Sequence, residues 1–250
     1  RANPKRVVFA EGEEEKVIRA ALAFKQEGYG SPVLIGYPER VQEMIREMGH
    51  DPDELEIVSA RDFDNRETYY DFLYARWQRR GLLYRDCQRL VNTDLNVFAA
   101  CMVANGDADA MVTGVTRRFS FAYEDVRRVI DPRHGQRVFG LTMLLSRGRT
   151  VFIADTTVHE LPTSVELADI AIQAAAMARQ MGHEPRVGLV SYSTFGNSTH
   201  VTSDNIRGAV SLLDSRELDF EYDGEMSVDV ALNPELMELY PFSRLSGPAN

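Results

Sequence analysis

From residue 6 to residue 114 the chain alternates short apolar runs with stretches of helical spacing, and this alternation restricts the fold more than any other feature. RVVFA (6–10) has the length of a strand. An acidic first turn, Glu13 to Glu15, follows it, and then Val17, Ile18, Ala21 and Leu22 recur on one helix face, with Gly28 and Gly30 closing the helix. PVLIG (32–36) is the next strand, and Val41, Met44, Ile45 and Met48 form the next helix, stopped by Gly49. Then come EIVS (56–59), a long helix through Tyr70, Leu73 and Trp77 ending near Gly81, a helix through Val97 and Met102 ending at Gly106, and the strand DAMVTG (109–114). Strands separated by helices pair in parallel through right-handed crossovers, so the expected class is α/β with a mostly parallel, doubly wound sheet.

Past residue 137 the texture changes. VFGLTMLLS and TVFIADT are two apolar strands joined by Arg147, Gly148 and Arg149, a hairpin-length link. An antiparallel pair therefore begins a second domain. An alanine-rich helix from Ser164 to Met181, a strand at Val187 to Val190, a helix carrying Ile206, Val210 and Leu213, and the strand DFEYDG (219–224) complete it. Two α/β domains, 1–136 and 137–250, with a ligand cleft between them are expected. No long linker, repeat or low-complexity segment interrupts them.

RVGLVSYSTFGNSTH (186–200) is the stretch that most asks for a function. An apolar strand breaks into Ser191, Ser193, Thr194, Gly196, Asn197, Ser198 and Thr199, small and hydroxyl residues suited to cradling an anion at the carboxyl edge of a parallel sheet. Polar groups also end three other strands: Thr113 with Gly114, Asp155 to Thr157, and Asp223 to Glu225. Such residues make turns as readily as binding sites. The five histidines are scattered, with His159 and His200 near strand ends.

Several function classes are excluded or weakened. The net charge of −10, from 28 basic and 38 acidic residues, argues against a broad nucleic-acid surface, which needs clustered cations. The local basic spots, Arg76 to Arg80 and Arg117 with Arg118, suit a small anion. Cys87 and Cys101 sit in apolar helical patterns without metal or disulfide spacing, so a reducing cytoplasm and no bound metal are expected. No apolar run approaches the ~20 residues of a membrane helix, and the start RANPKRVVFAEGEEE is no signal peptide. Lacking Met and running straight into a strand, that start reads as a cut inside a longer protein. There is no GxGxxG, GxxxxGK[ST], HExxH or GxSxG, which removes the simplest dinucleotide, P-loop, zinc-protease and hydrolase readings.

In this order, FAEGEEEKVIRAA, DAMVTG, VFIADTTV, VGLVSYSTFGNS and DGEMSVDVAL resemble the phosphate acetyl/butyryl transferase family along essentially the whole chain. The start RANPKRVVFAEGEE and the end SRLSGPAN are most similar to the C-terminal phosphotransacetylase-like domain of bacterial NADP-dependent malic enzymes. The resemblance implies a phosphotransacetylase-like fold, related to that of isocitrate and isopropylmalate dehydrogenases. It implies an acyl-CoA or acyl-phosphate ligand, a homo-oligomer, and a malic enzyme domain before residue 1 that uses NADP and Mg or Mn to decarboxylate malate. Arg76, Thr113, Gly114, Arg127, Asp155, Thr156, His159, Ser191, Ser193, Thr194, Gly196, Asn197, Ser198 and Asp223 are the implied ligand-binding residues.

Departures from the family pattern are as informative. Phe195 stands where active transferases carry Lys in the acyl-phosphate loop, and His159 where they carry Asn. A cation lost from a phosphate loop removes charge-assisted bonds. The family's thiol-activating Asp lies beyond a further strand and helix, after Asn250, so this polypeptide is expected to have no catalytic residue of its own and no acyl-transfer activity. Three readings stay open: a regulatory module that senses acetyl-CoA or an acyl phosphate for an attached malic enzyme, an active phosphate acetyltransferase, and a purely structural oligomerisation domain.

Overall fold

A computed structural model describes residues 3–196 and 198–250 and divides the chain into two compact units, Arg1–Asp131 and Pro132–Asn250. The first unit closes at Asp131, before the expected 136, and Asp131 is tied back to it by Arg76.

The first unit contains β1 (Lys5–Phe9), α1 (Glu15–Gln26), β2 (Gly30–Ile35), α2 (Pro38–Glu47), β3 (Glu56–Val58), α3 (Arg66–Trp77), α4 (Tyr84–Thr93), α5 (Leu95–Ala104), β4 (Ala110–Val112) and α6 (Phe119–Val129). Its sheet is parallel throughout, in the order β3-β2-β1-β4. The chain steps outward from β1 to β3 and then returns to the other side of β1, so the strand order reverses between β1 and β4. Alternate residues of one strand serve opposite faces. Val7, Phe9 and Leu34 pack with α1 and α2 residues such as Ile18 and Ile45. Val8, Val33 and Ile35 pack on the other face with Tyr69, Leu73, Phe98 and Met102 from α3 and α5. Each such side chain contributes about 1.5–3 kcal/mol on burial, which is why β1 and β2 read as continuous apolar runs.

Three local expectations are corrected. Gly28, at φ +69°, ends α1, but Gly30 opens β2 against Lys5, where a Cβ would meet the Lys5 carbonyl oxygen at 2.0 Å. The long helix stops at Trp77 and is followed by a 3-10 turn and by α4, a separate helix. Helix α6 was not foreseen: no side chain caps its start, and its buried face is only Ala122, Asp125 and Val129.

The second unit contains β5 (Leu141–Ser146), β6 (Arg149–Ala154), α7 (Ser164–Gln180), β7 (Arg186–Val190), α8 (Val201–Asp214), β8 (Glu221–Met226), α9 (Val228–Leu232) and α10 (Pro234–Met237). β5 and β6 pair antiparallel as expected, but Arg149 belongs to β6 and the turn is Arg147-Gly148 alone, both left-handed at φ 49° and 77°. That is the twist a two-residue hairpin favours. β7 and β8 pair in parallel across α8. α7 starts at a capping box, Thr163 with Glu166, and lies so close to α8 that a Cβ on Gly208 would meet Ser164 Oγ at 2.5 Å. Asn250 stands between β6 and β7: its carbonyl accepts from Phe152 N–H at 2.6 Å, and its N–H donates to the Arg186 carbonyl at 3.1 Å. An apolar cavity of about 530 Å³ adjoins it, lined by β6, α7 and β7.

Candidate functional site

In a parallel sheet whose strand order reverses, ligands bind outside the carboxyl ends of the strands at the reversal. In the first unit that place lies between β1 and β4, and Glu11 fills it. Its carboxylate accepts from the N–H groups of Gly114, Val115 and Thr116 at 2.9, 2.7 and 2.7 Å and from the Thr116 hydroxyl. Successive backbone N–H groups form an anion-binding nest. Burial opposes the charge of Glu11, but the Thr116 hydroxyl and the three N–H groups outweigh it and hold the carboxyl below its ordinary value. Thr113 donates from its hydroxyl to Asn96 Oδ1. The strand-end groups at 113 and 114 thus meet internal partners.

Both Arg76 Nη atoms lie 2.5 Å from the Asp131 carboxylate oxygens, and its Nε donates to the Arg128 carbonyl at 2.9 Å. This bidentate fork is the strong class of ion pair. Arg127, on α6, differs: its Nη1 is buried without a hydrogen-bond partner among the described residues. A buried unpaired guanidinium N–H is costly.

In the second unit, the 191–198 loop joins β7 to α8 and is stitched to the end of β8. Ser191 N–H donates to the Met226 carbonyl and Phe195 N–H to the Glu225 carbonyl, each at 2.8 Å, and Gly196 N–H donates to Glu225 Oε1 at 3.1 Å. The Thr194 hydroxyl donates to Ser227 Oγ at 3.0 Å and accepts from Ser227 N–H at 3.1 Å. Tyr192 and Ser198 share a hydroxyl hydrogen bond of 2.7 Å, and His200 caps α8. Phe195 and Gly196 are left-handed at φ 44° and 82°. That turn sends the Phe195 ring against Phe242 and Tyr240, at centroid distances of 4.9 and 5.4 Å. Asn197 lies outside the described residues.

Beneath this loop, Glu225 is fully buried, with Arg207 Nη1 2.7 Å from its Oε1. Its Oε2 and the hydroxyl of Ser193 are both buried without partners among the described residues. Arg207 is absent from the residues expected from sequence, and Glu225 appears there only within the strand-end group Asp223 to Glu225, not among the expected ligand-binding residues. The available signal was an acidic residue inside DGEM, where a strand's apolar run ends.

Asp155, with a side chain only 2% exposed, organises the turn after β6. Its Oδ1 accepts from Gly140, Thr157 and Val158 N–H at 2.8, 2.9 and 3.1 Å, and its Oδ2 accepts from His159 N–H at 2.8 Å and His159 Nδ1–H at 2.7 Å. Burial works against the charge, yet the bonds from Thr157, Val158, His159 and Gly140 pull the carboxyl far below its ordinary value. Thr156 closes the turn with N–H to the Gly140 carbonyl and Oγ1 3.1 Å from Thr142 Oγ1. The carboxylate orients the His159 ring through Nδ1. Asp223, also buried, holds the 243–244 turn through Ser243 Oγ and Arg244 N–H at 3.1 and 2.8 Å. The described site residues therefore divide: Asp155, Thr156 and His159 form one turn, Ser191, Ser193, Thr194, Gly196 and Ser198 belong to another, and Asp223 anchors a third.

The first unit is a parallel α/β unit, and the second holds an antiparallel hairpin, a separate parallel strand pair and a hydroxyl-rich loop at a strand end. The chain belongs to the phosphate acetyl/butaryl transferase family, whose pattern matches residues 1–250. It is 55% identical over 252 residues to an NADP-dependent malic enzyme of Rhizobium meliloti, covering 100% of this chain and 33% of that protein. It is 30% identical over 256 residues to a phosphate acetyltransferase of Clostridium acetobutylicum, covering 98% and 76%. A phosphotransacetylase structure from Streptococcus pyogenes superposes with a TM-score of 0.89 at 26% identity, covering 99% of this chain and 76% of that one. The chain thus spans about a third of the length of the malic enzyme it matches.

Proposed function

We propose that this chain is the ligand-sensing, phosphotransacetylase-like part of an NADP-dependent malic enzyme, binding acetyl-CoA or a related acyl ligand that biases the attached dehydrogenase. The observation that carries this reading is the 191–198 loop. It keeps the hydroxyl groups and a buried, unpartnered Ser193 Oγ, while the side chain at 195 is an aromatic ring packed on Phe242 and Tyr240. Such a loop offers hydrogen bonds to an acyl phosphate or thioester without the cation that stabilises a transferred phosphate. The unpaired Nη1 of Arg127 supplies a cation for a phosphate of coenzyme A.

The malic enzyme relatives, at 55% and 48% identity, support the attachment to a dehydrogenase. NADP and Mg or Mn are assigned to that dehydrogenase part in this reading. Assembly into a homo-oligomer in the cytoplasm completes the reading. No described helix is long and apolar enough to cross a membrane.

The test is malate turnover by the full-length protein against acetyl-CoA concentration. A shift in turnover that Arg127→Ala moves ten- to a hundredfold in midpoint, equivalent to ~1.5–3 kcal/mol, supports the proposal. Indifference of the wild type to acetyl-CoA makes this a structural module. Turnover of acetyl phosphate near ~10 per second makes it an active transferase.

A further inference from the structure

The carboxyl edge of the first unit's sheet holds a feature that is independent of the reading above. Two cavities of about 550 and 310 Å³ adjoin there and share Arg61, Asn92 and Thr93 in their walls. The larger is cationic. Arg61, Arg66 and Arg89 line it against one carboxylate, Glu67, in a chain whose net charge is −10.

These arginines are not consumed by acidic partners. Arg66 has no ion pair among the described residues, Arg61 only leans over the Tyr37 ring at 5.7 Å, and Arg89 makes a long 3.4 Å contact with Asp86 while 72% exposed. Six other guanidinium groups in this unit are engaged: Arg6, Arg19, Arg40, Arg76, Arg117 and Arg128 pair with carboxylates. In the shared wall, Asn92 Oδ1 accepts from the Tyr70 hydroxyl at 2.7 Å, which fixes the amide and leaves its NH₂ group to donate elsewhere.

The smaller cavity has the opposite character. Ile35, Ala60, Leu95 and the half-exposed Tyr37 ring give it a flat apolar wall, and Glu14 stands at its rim. Glu13 is engaged by Arg40 and Tyr37 N–H, and Glu11 by the 114–116 nest, whereas the Glu14 carboxylate has no partner among the described residues. Glu14 directly precedes α1, in the turn that follows β1, and an unpartnered carboxylate there can accept from a ribose diol. It also repels a second phosphate at that end.

We propose that these adjoining cavities bind a nucleoside monophosphate, the phosphate held by Arg61, Arg66 and Arg89, the base against Tyr37 and Leu95, and the ribose hydroxyls on Glu14. One end takes two negative charges, and the other takes a flat ring and a diol. A phosphate on the ribose 2′ or 3′ oxygen places charge where Glu14 stands.

The experiment is isothermal titration of the full chain with AMP, ribose 5-phosphate and inorganic phosphate, with far-UV circular dichroism to verify the fold of each variant. AMP is expected to bind in the range of about 10–100 μM, ahead of ribose 5-phosphate, with inorganic phosphate weakest. The Arg61→Gln, Arg66→Gln double variant is expected to lose tenfold or more for AMP. Glu14→Gln is expected to weaken AMP and leave inorganic phosphate unchanged, a discrimination that a merely structural role does not produce. Arg127→Ala is expected to leave AMP binding intact, and the double variant to leave acetyl-CoA binding intact, so failure of the acyl-CoA reading does not touch this one. The proposal is overturned if AMP gives no heat below about 1 mM, if inorganic phosphate binds as tightly as AMP, or if the two ligands respond to the same substitutions.

Discussion

Asp155→Asn tests whether the turn after β6 is held by a carboxylate or merely contains one. Five donors converge on that side chain, three on Oδ1 and two on Oδ2, and it is 2% exposed. An amide of the same shape keeps one acceptor oxygen but turns an NH₂ group toward either the Oδ1 or the Oδ2 donors. With the oxygen retained on the three-donor side, His159 N–H and Nδ1–H lose their acceptor. Each orphaned buried donor costs about 1–3 kcal/mol, so the loss is about 3 kcal/mol, or roughly 10 °C in Tm for a unit of this size. Urea unfolding followed by circular dichroism measures it.

The pH dependence supplies an independent sign. The folded carboxyl is depressed below its unfolded value of about 3.9, so its stabilisation is fully present above that value and is lost as pH falls below about 4 toward the folded pKa. The wild type should therefore weaken on acidification more steeply than Asp155→Asn. A variant within about 0.5 kcal/mol of wild type at pH 7, with the same acid dependence, refutes this account and returns Asp155 to a ligand role.

Gly30→Ala places a Cβ 2.0 Å from the Lys5 carbonyl oxygen, so the β1–β2 ladder must open; a loss of about 3 kcal/mol in urea unfolding is expected. Burial pushes the Cys101 thiol up to about 12, and Cys87 is also buried, so neither should react with a disulfide reagent at pH 8 until the protein unfolds. Light scattering of the chain at micromolar concentration should report a dimer, with Leu145, Leu161 and Phe242 among its exposed apolar side chains.

The parallel unit was legible because Val7 to Ala10 and Val33 to Ile35 are buried on both faces, which leaves unbroken apolar runs in the sequence. The hairpin was legible because two strands stood too close for a crossover. Helix α6 was not, because an uncapped start and a three-residue buried face leave almost no period to read. The strand-end polar groups were found, but their partners were hidden. Glu11 is 103 residues from Gly114 and Asp131 is 55 from Arg76, separations at which no local pattern pairs them. Internal carboxylates and bound phosphates also ask for the same cradle of N–H groups. A sequence therefore marks the cradle without saying which anion fills it. The 191–198 loop stood out through its hydroxyl content, whereas the burial of Ser193 Oγ and Glu225 Oε2 without partners emerged only from the packing.

The most direct test of the ligand-sensing account is calorimetric titration of this chain with acetyl-CoA, comparing wild type, Arg127→Ala and Ser193→Ala. Saturable binding that each substitution weakens about tenfold or more, with the far-UV circular dichroism of the wild type retained, is the predicted result. Absence of binding up to about 1 mM, or wild-type affinity in both variants, contradicts it.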